Sequence, residues 1–309
     1  MSKKKQRSIP AFRLALPATS ANLGPAFDAA ALAMDLYITI DARPAAEFSI
    51  RARGRDLQIC QALENHLILI TYREILEAQG GADVIPLSLR IRNDIPIGKG
   101  CGSSAAARLA GIALANHFGG LRWTNAQIIG EASRREHHPD NASACWMGGL
   151  TVARMSGEAE AQVVSIRPKG KWPLLLALPD QMLSTEEARR VLPAQYSRAD
   201  AVINIQNSML LLVAFMQGRH ELLRTALEDR LHQPYRAPLC PLLPCLHELT
   251  GSPGILGAVL SGAGPSVVVF LDPRSSAQKT IKVVAAHLAS KGLRAELLLT
   301  SISSGGARG

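Results

Sequence analysis

Aromatic side chains are scarce in this chain, at 4% of its 309 residues, and no basic stripe alternates with phenylalanine or tyrosine. Single-stranded nucleic acid is held by stacking bases on aromatic rings, so platforms for it are few and a nucleic-acid partner is not expected. Paired cysteines are missing too. Cys60, Cys101, Cys145, Cys240 and Cys245 are odd in number, scattered, and never spaced C-x-x-C. This pattern excludes a disulfide framework or zinc ribbon and favours a reducing, cytoplasmic setting. No apolar run approaches the ~20 residues of a membrane helix before Arg, Asp or Pro breaks it, so no membrane is expected. The basic excess is mild: of a formal net charge of +9, Lys3, Lys4, Lys5 and Arg7 contribute four. Residues 1–8 read as a solvated basic tail, since Pro10 and Arg13 interrupt the apolar stretch a secretory signal needs.

With 47% hydrophobic residues the chain can bury a core, and its length suggests two lobes. Extended segments are expected at 9–16, 36–40 and 47–50, bounded by Pro, Gly or Asp. A helical period covers 63–78 and ends at Gly80-Gly81. A strand at 87–91 leads through a glycine-rich turn into an Ala-rich helix reaching Phe118. Thr124 with Gln127 forms a capping box for a helix to Arg135, from which His138-Pro139-Asp140-Asn141 breaks away. Strands at 150–155 and 163–166 close the first lobe. The second lobe interleaves strands (174–178, 258–260, 267–271, 296–299) with helices (204–216, 221–228, 278–289). The Ser/Gly-rich end, 301–309, is expected to fray.

Chemistry first shows at the turn after residue 91. Gly98, Gly100 and Gly102 alternate, so backbone amides can approach an anion without Cβ obstruction, and the following helix offers unpaired N–H groups. Ser103 and Ser104 can cap that helix or hold a magnesium ion, and Lys99 adds a cation. The spacing is neither Walker A nor G-x-G-x-x-G. A plain strand-to-helix turn uses glycine and serine for the same backbone reasons, so spacing alone leaves both readings open.

Residues 96–106 resemble the P-x-G-x-G-L-G-S-S-A-A motif of the GHMP kinases, with Cys101 where leucine is usual. The resemblance implies that Pro96, Ile97, Gly98, Lys99, Gly100, Cys101, Gly102, Ser103, Ser104, Ala105 and Ala106 wrap the phosphates of ATP, with Ser104 on Mg2+. Residues 17–28, P-A-T-S-A-N-L-G-P-A-F-D, resemble the signature of the branch of that family that acts on homoserine, departing at Ala26, where glycine is normal. His138-Pro139-Asp140-Asn141 with Met147-Gly148-Gly149-Leu150 is similar to the same branch, as are S-T-E-E-A-R, ending at Arg189, and Q-P-Y-R, ending at Arg236. Read bare, Arg189 is an exposed helix partner and Arg236 a contact at a helix end, and His137-His138 is a solvated turn rather than a transition-metal site.

The resemblance therefore implies an α+β, two-lobed fold, with a ribosomal-S5-like first lobe over 9–166 and a ferredoxin-like second lobe over 167–309. The implied reaction is transfer of the ATP γ-phosphoryl group to the L-homoserine hydroxyl. Arg189 and Arg236 offer planar forks for a carboxylate, and Asp28 and Asp140 offer carboxylates for an ammonium, which together suit an amino-acid zwitterion. Asn22 and Asn141 are expected to orient the hydroxyl. Asp140 is read as a substrate ligand, with general base as the alternative. Gly262, Ala263 and Gly264, in a turn like the family's S-G-A-G-P-S motif, support the site. For the metal, GHMP kinases pair the loop serine with a glutamate. Glu136 fits the short form of the loop and is preferred, with Glu131 as the alternative. The family also implies a homodimer. Competing readings are a mevalonate or sugar kinase of the same family, an RNA-binding module with an S5-like fold, and a ligand sensor without turnover.

Overall fold

The computed structural model describes residues 9–80 and 84–309; the basic tail and Gly81 lie outside the described residues. Among the described residues, ten strands form two sheets. The first contains β1 (Phe12–Ala21), β2 (Ala30–Pro44), β3 (Ser49–Gly54), β4 (Leu87–Asn93), β5 (Leu150–Gly157) and β6 (Glu160–Ile166). Its order is β3-β4-β2-β5-β6, with β1 pairing antiparallel along the other side of β2. The 15-residue β2 is the spine, meeting β5 near its start and β4 near its end. The sequence reading of this strand as 36–40 is too short. Its first part, A-A-L-A-M, is buried without alternation, as a strand covered on both faces should be.

Against this sheet pack α3 (Ser103–Phe118), α4 (Asn125–Glu136) and α5 (Asp140–Met147), with α2 (Leu67–Ala78) laid on α3 and the short α1 (Leu57–Gln61) beside β3. The capping box of α4 forms as expected from Thr124 and Gln127. His138-Pro139 does end α4, but a new helix begins directly at Asp140, where the sequence reading saw only a break.

The second sheet holds β7 (Pro173–Leu178), β8 (Ile255–Leu260), β9 (Val267–Leu271) and β10 (Glu296–Ser301) in the order β10-β7-β9-β8, all antiparallel. That order is the ferredoxin-like arrangement. Its helices are α6 (Thr185–Arg190), α7 (Arg198–Gln217), α8 (Leu223–Ala226), α9 (Gln233–Arg236), α10 (Leu242–His247) and α11 (Ala277–Ser290). The helix expected over 221–228 is instead a 3-10 turn followed by the four-residue α8.

Two expectations are corrected. The long helix α7 is apolar enough to cross a membrane by length and composition alone, with mean hydropathy 1.4, because its charges, Arg198 and Asp200, stand only in its first turn. It is anchored on the fold by Asn204, Leu211, Ala214 and Phe215, while Val202, Ile205, Met209, Val213 and Met216 remain exposed. Nor does the C-terminus fray. Ile302 bridges to Met34 and Arg308 to Ala15, Gly149 donates to the Ser303 carbonyl, and Ala307 donates to that of Trp146, so the last residues lie on the first lobe.

Candidate active site

Between the sheets lies a cleft of about 110 Å³, lined among others by Asn22, Asp28, Gly98, Gly100 to Ala105, Glu136, His138, Asp140, Asn141, Arg189, Arg236 and Gly262 to Gly264. Residues separated by more than 200 positions thus converge. Of the sequence-derived residues, Pro96, Ile97, Lys99, Ala106 and Glu131 do not line it. Ile97 and Ala106 line an adjoining apolar pocket of about 620 Å³, together with Gly98, Ser103 and Ser104.

The phosphate loop takes its shape from glycine. Gly98, Gly100 and Gly102 all have positive φ, near 70°. A Cβ on Gly100 would overlap the carbonyl oxygens of Ser261 and Gly264, and one on Gly102 would overlap the Thr19 hydroxyl. The turn at 261–264 is therefore pressed onto the loop. Ser261 donates its hydroxyl to the Gly100 carbonyl at 2.7 Å, and Asn22 donates to the Gly262 carbonyl at 2.8 Å. Cys101 is buried, which pushes its thiol up to about 12, so it fills the usual leucine position as an inert apolar side chain.

At the start of α3 the Ser104 hydroxyl donates to Glu136 at 2.7 Å, and Arg108, one turn on, pairs with the same carboxylate oxygen. Arg108 has no precedent in the sequence reading, although it is the only cation in an otherwise apolar helix. Glu131 sits on α4, bound by Arg134 and Arg135. Burial raises its pKa, but those two guanidinium groups more than reverse this and hold it below the ordinary value. The serine hydroxyl and Glu136 form a pair of adjacent oxygens beside backbone amides, the hard donor set that suits Mg2+ already liganded by phosphate and water.

The loop at 22–28 is wound tightly, with Asn22, Leu23, Gly24 and Asp28 all at positive φ. Asn22 accepts from the Asp28 amide at 2.9 Å as well as donating to Gly262, so both ends of its amide are spent inside the protein. Ala26 adopts no positive φ and needs no glycine. Asp28 pairs with Arg189 at 2.7 Å. Asp140, 1% exposed, accepts from Asn141 and lies 2.7 Å from His138 Nδ1. His138 is buried, contrary to the solvated turn read from sequence. Burial disfavours its charge, but Asp140, and then Asp28 and Glu136, outweigh that and raise its pKa. Asp28, His138 and Asp140 offer ligand atoms within 4.8 Å of one another, a negative corner suited to a cation. The Asn141 side-chain oxygen accepts from Thr19 at 2.6 Å.

Opposite stands Arg236, with 1% exposure the largest fully buried side chain. Its hydrogen bonds go to the Ala188 carbonyl, His232 Nδ1 and the Gly262 carbonyl, none of them a carboxylate. Burial, and then repulsion from Arg189, lower its pKa. Phe27 lies under both guanidinium groups, 5.4 Å from Arg189 and 5.3 Å from Arg236.

Comparison with known proteins agrees with this geometry. Residues 66–149 match the model described as "GHMP kinases N terminal domain", and 211–290 match "GHMP kinases C terminal". The chain is 42% identical over 263 residues to the homoserine kinase of Solibacter usitatus, covering 84% of this chain and 85% of that one. It is 37% identical over 295 residues to that of Desulfitobacterium hafniense, covering 96% and 98%. The crystal structure of homoserine kinase from Cytophaga hutchinsonii superposes with TM-score 0.81 at 22% identity, covering 100% and 99%, and so shares the fold. By its two matched halves and its extensive identity to these relatives, the chain belongs to the homoserine kinases of the GHMP kinase family.

Proposed function

We infer that this protein transfers the γ-phosphoryl group of ATP to the side-chain hydroxyl of L-homoserine, giving O-phospho-L-homoserine and ADP on the way to threonine. One observation carries the substrate reading: a buried arginine without a carboxylate partner faces a cleft whose other corner is carboxylate-rich. A buried guanidinium left unpaired is costly, and the carboxylate of an amino acid supplies what Arg236 lacks. Arg189 closes the fork from the rim. Asp28 and Asp140 receive the ammonium. A sugar or mevalonate offers no cation for that corner.

In this reading residues 96–106 hold the ATP phosphates with backbone amides, and the adjoining apolar pocket takes the nucleoside. Ser104 and Glu136 would hold Mg2+, which would supply positive charge to offset that of the phosphates. The homoserine oxygen attacks the γ-phosphorus, the bond to the β–γ bridging oxygen breaks, and ADP leaves. Phosphoryl transfer has a loose transition state in most analyses, so positioning carries much of the rate. Asp140 then serves as a substrate ligand, and the substrate proton leaves on the transferred group. Asn141, steadied by Thr19, orients the hydroxyl, whereas Asn22 holds Asp28 in place.

The two lobes are assigned to 9–166 and 167–309, except that residues 302–308 return to the first lobe, and the free, buried cysteines suit a reducing cytoplasm. A homodimer would cover the uncharged face of α7, which light scattering tests. For the reaction itself, ADP release is measured with L-homoserine, D-homoserine, L-threonine, mevalonate and galactose. Turnover should be confined essentially to L-homoserine; strong activity on mevalonate with none on homoserine overturns the reading.

A further inference from the structure

The segment from Asp229 to Arg236 contains a buried imidazole with no place in the reaction described so far. His232 is 0% exposed. Its Nε2 lies 2.8 Å from the Gly24 carbonyl and its Nδ1 lies 3.1 Å from an Arg236 guanidinium nitrogen. A carbonyl oxygen can only accept, so Nε2 carries the proton. A guanidinium can only donate, so Nδ1 presents a lone pair. Both contacts demand the same neutral tautomer, and burial, which lowers the pKa of this imidazole to about 4, keeps it neutral. Phe27 stacks on the ring at 5.1 Å between centroids. Asp229 fixes the backbone beneath it by accepting from the amides of Leu231, His232 and Gln233.

His232 thus joins Arg236, which lines the cleft, to Gly24 of the loop that carries Asp28, two residues 212 positions apart in the sequence. A neutral acceptor is an unusual partner for a buried guanidinium, because an aspartate there would be the stronger one. A carboxylate partner, however, would neutralise the charge that the substrate needs. An imidazole lone pair fixes one guanidinium edge and leaves the positive charge to be claimed by a ligand.

We propose that His232 is a positioning residue for substrate recognition: it clamps Arg236 to the Gly24–Asp28 loop and orients the guanidinium toward the homoserine carboxylate without cancelling its charge. The proposal rests on the reading of Arg236 as the carboxylate fork. It makes the acceptor at Nδ1, rather than the bulk of the ring, the property that matters.

Two substitutions separate these. Asparagine places an amide oxygen near the position of Nδ1 and keeps an acceptor for Arg236; glutamine places its amide near Nε2 and keeps a donor for Gly24 while losing that acceptor. His232→Gln should raise the KM for L-homoserine about tenfold, as loss of one hydrogen bond to a charged group does, with the KM for ATP nearly unchanged. His232→Asn should stay within about twofold of the parent, a KM rescue that follows from the retained acceptor. 3-Aminopropan-1-ol, homoserine without its carboxylate, gives the second readout. Discrimination between it and homoserine should shrink in His232→Gln and persist in His232→Asn. Should the glutamine variant fail to fold, His232→Leu, which fills volume but offers neither group, carries the same test. Equal KM shifts for the acceptor-bearing and acceptor-free variants, with unchanged discrimination against the amino alcohol, overturn the proposal. Arg236→Ala run in parallel isolates the underlying reading: if that variant binds homoserine normally, the carboxylate fork itself is wrong. A raised homoserine KM in Arg236→Ala with an inert His232→Gln refutes the role of His232 alone.

Discussion

The proposed phosphate side of the cleft comes from one loop, of which Gly98 and Gly100 to Ala105 line the cavity. The opposite side is assembled from side chains on separate elements: Asp28 in a loop, Asp140 opening α5, Arg189 on α6 and Arg236 on α9. In the proposed reading the first wall recognises an anion by shape, and its critical residues are those without side chains. The second, in the proposed reading, recognises a zwitterion by charge, and its carboxylates depend on partners, as Asp28 does on Asn22 and Asp140 on His138. Shape-based recognition fails when an atom is added, and charge-based recognition fails when one is removed.

Adding a single methyl group should therefore do the most damage on the first side. Gly100→Ala combines a left-handed φ with a Cβ inside two carbonyls. The backbone term alone costs roughly 1–2 kcal/mol, so a clear fall in Tm and near-complete loss of turnover are expected; a variant with parental ATP KM and Tm would break the contrast. Removal is the corresponding test of the second side. Arg236→Ala should raise the homoserine KM by about ten- to a hundredfold, from a charge-assisted bond of ~1.5–3 kcal/mol, and leave the ATP KM alone. Arg189→Ala should act in the same direction but less, since Arg189 is partly exposed and already paired. Lysine should rescue neither well, lacking the planar fork.

Between the walls sits the proposed metal pair. Glu136→Gln and Ser104→Ala should each lower kcat and raise the Mg2+ requirement, whereas Glu131→Gln should behave almost as the parent. The reverse pattern in a magnesium titration would reassign the ligand.

The smallest effect is on stability against pH. His232 falls from an ordinary 6.5 to about 4, so between those values the unfolded chain binds a proton that the native chain does not. Stability should drop as pH falls through that window. His138 runs oppositely: its raised pKa adds stability that is full below 6.5 and lost as pH rises through the folded value. Urea midpoints at pH 5 and pH 7 for His232→Asn and the parent should show a flatter acid limb in the variant.

The same contrast explains what could be read from the sequence. The phosphate loop is local, so glycine spacing and the family likeness reveal it whole. Arg189 and Arg236 were accessible through their motifs, but nothing near Arg236 in the chain announces that it would be buried without a carboxylate. Arg108 and His232 carry no signal of their roles in the sequence, and His138 reads there as a solvated turn although it is buried, because their meaning comes from partners such as Glu136, Gly24 and Asp140. Among secondary elements, α10 was lost because Pro241 and Pro244 suggest a loop. Pro241 precedes the helix and Pro244 lies in its first turn, where no intrahelical N–H bond is forfeited. The start of β2 was lost because burial on both faces erases alternation, which is the signal a strand search uses.

The returning C-terminus sets an order on how this molecule can be made. The Arg308 amide and carbonyl are exchanged with those of Ala15, and the Ser303 amide donates to Ala33, so the opening strands of the chain take their last partners from its closing residues. Synthesis runs from the first residue to the last. The lobe that is translated first therefore waits with part of β1 and β2 unpaired until residues 302–308 have been made.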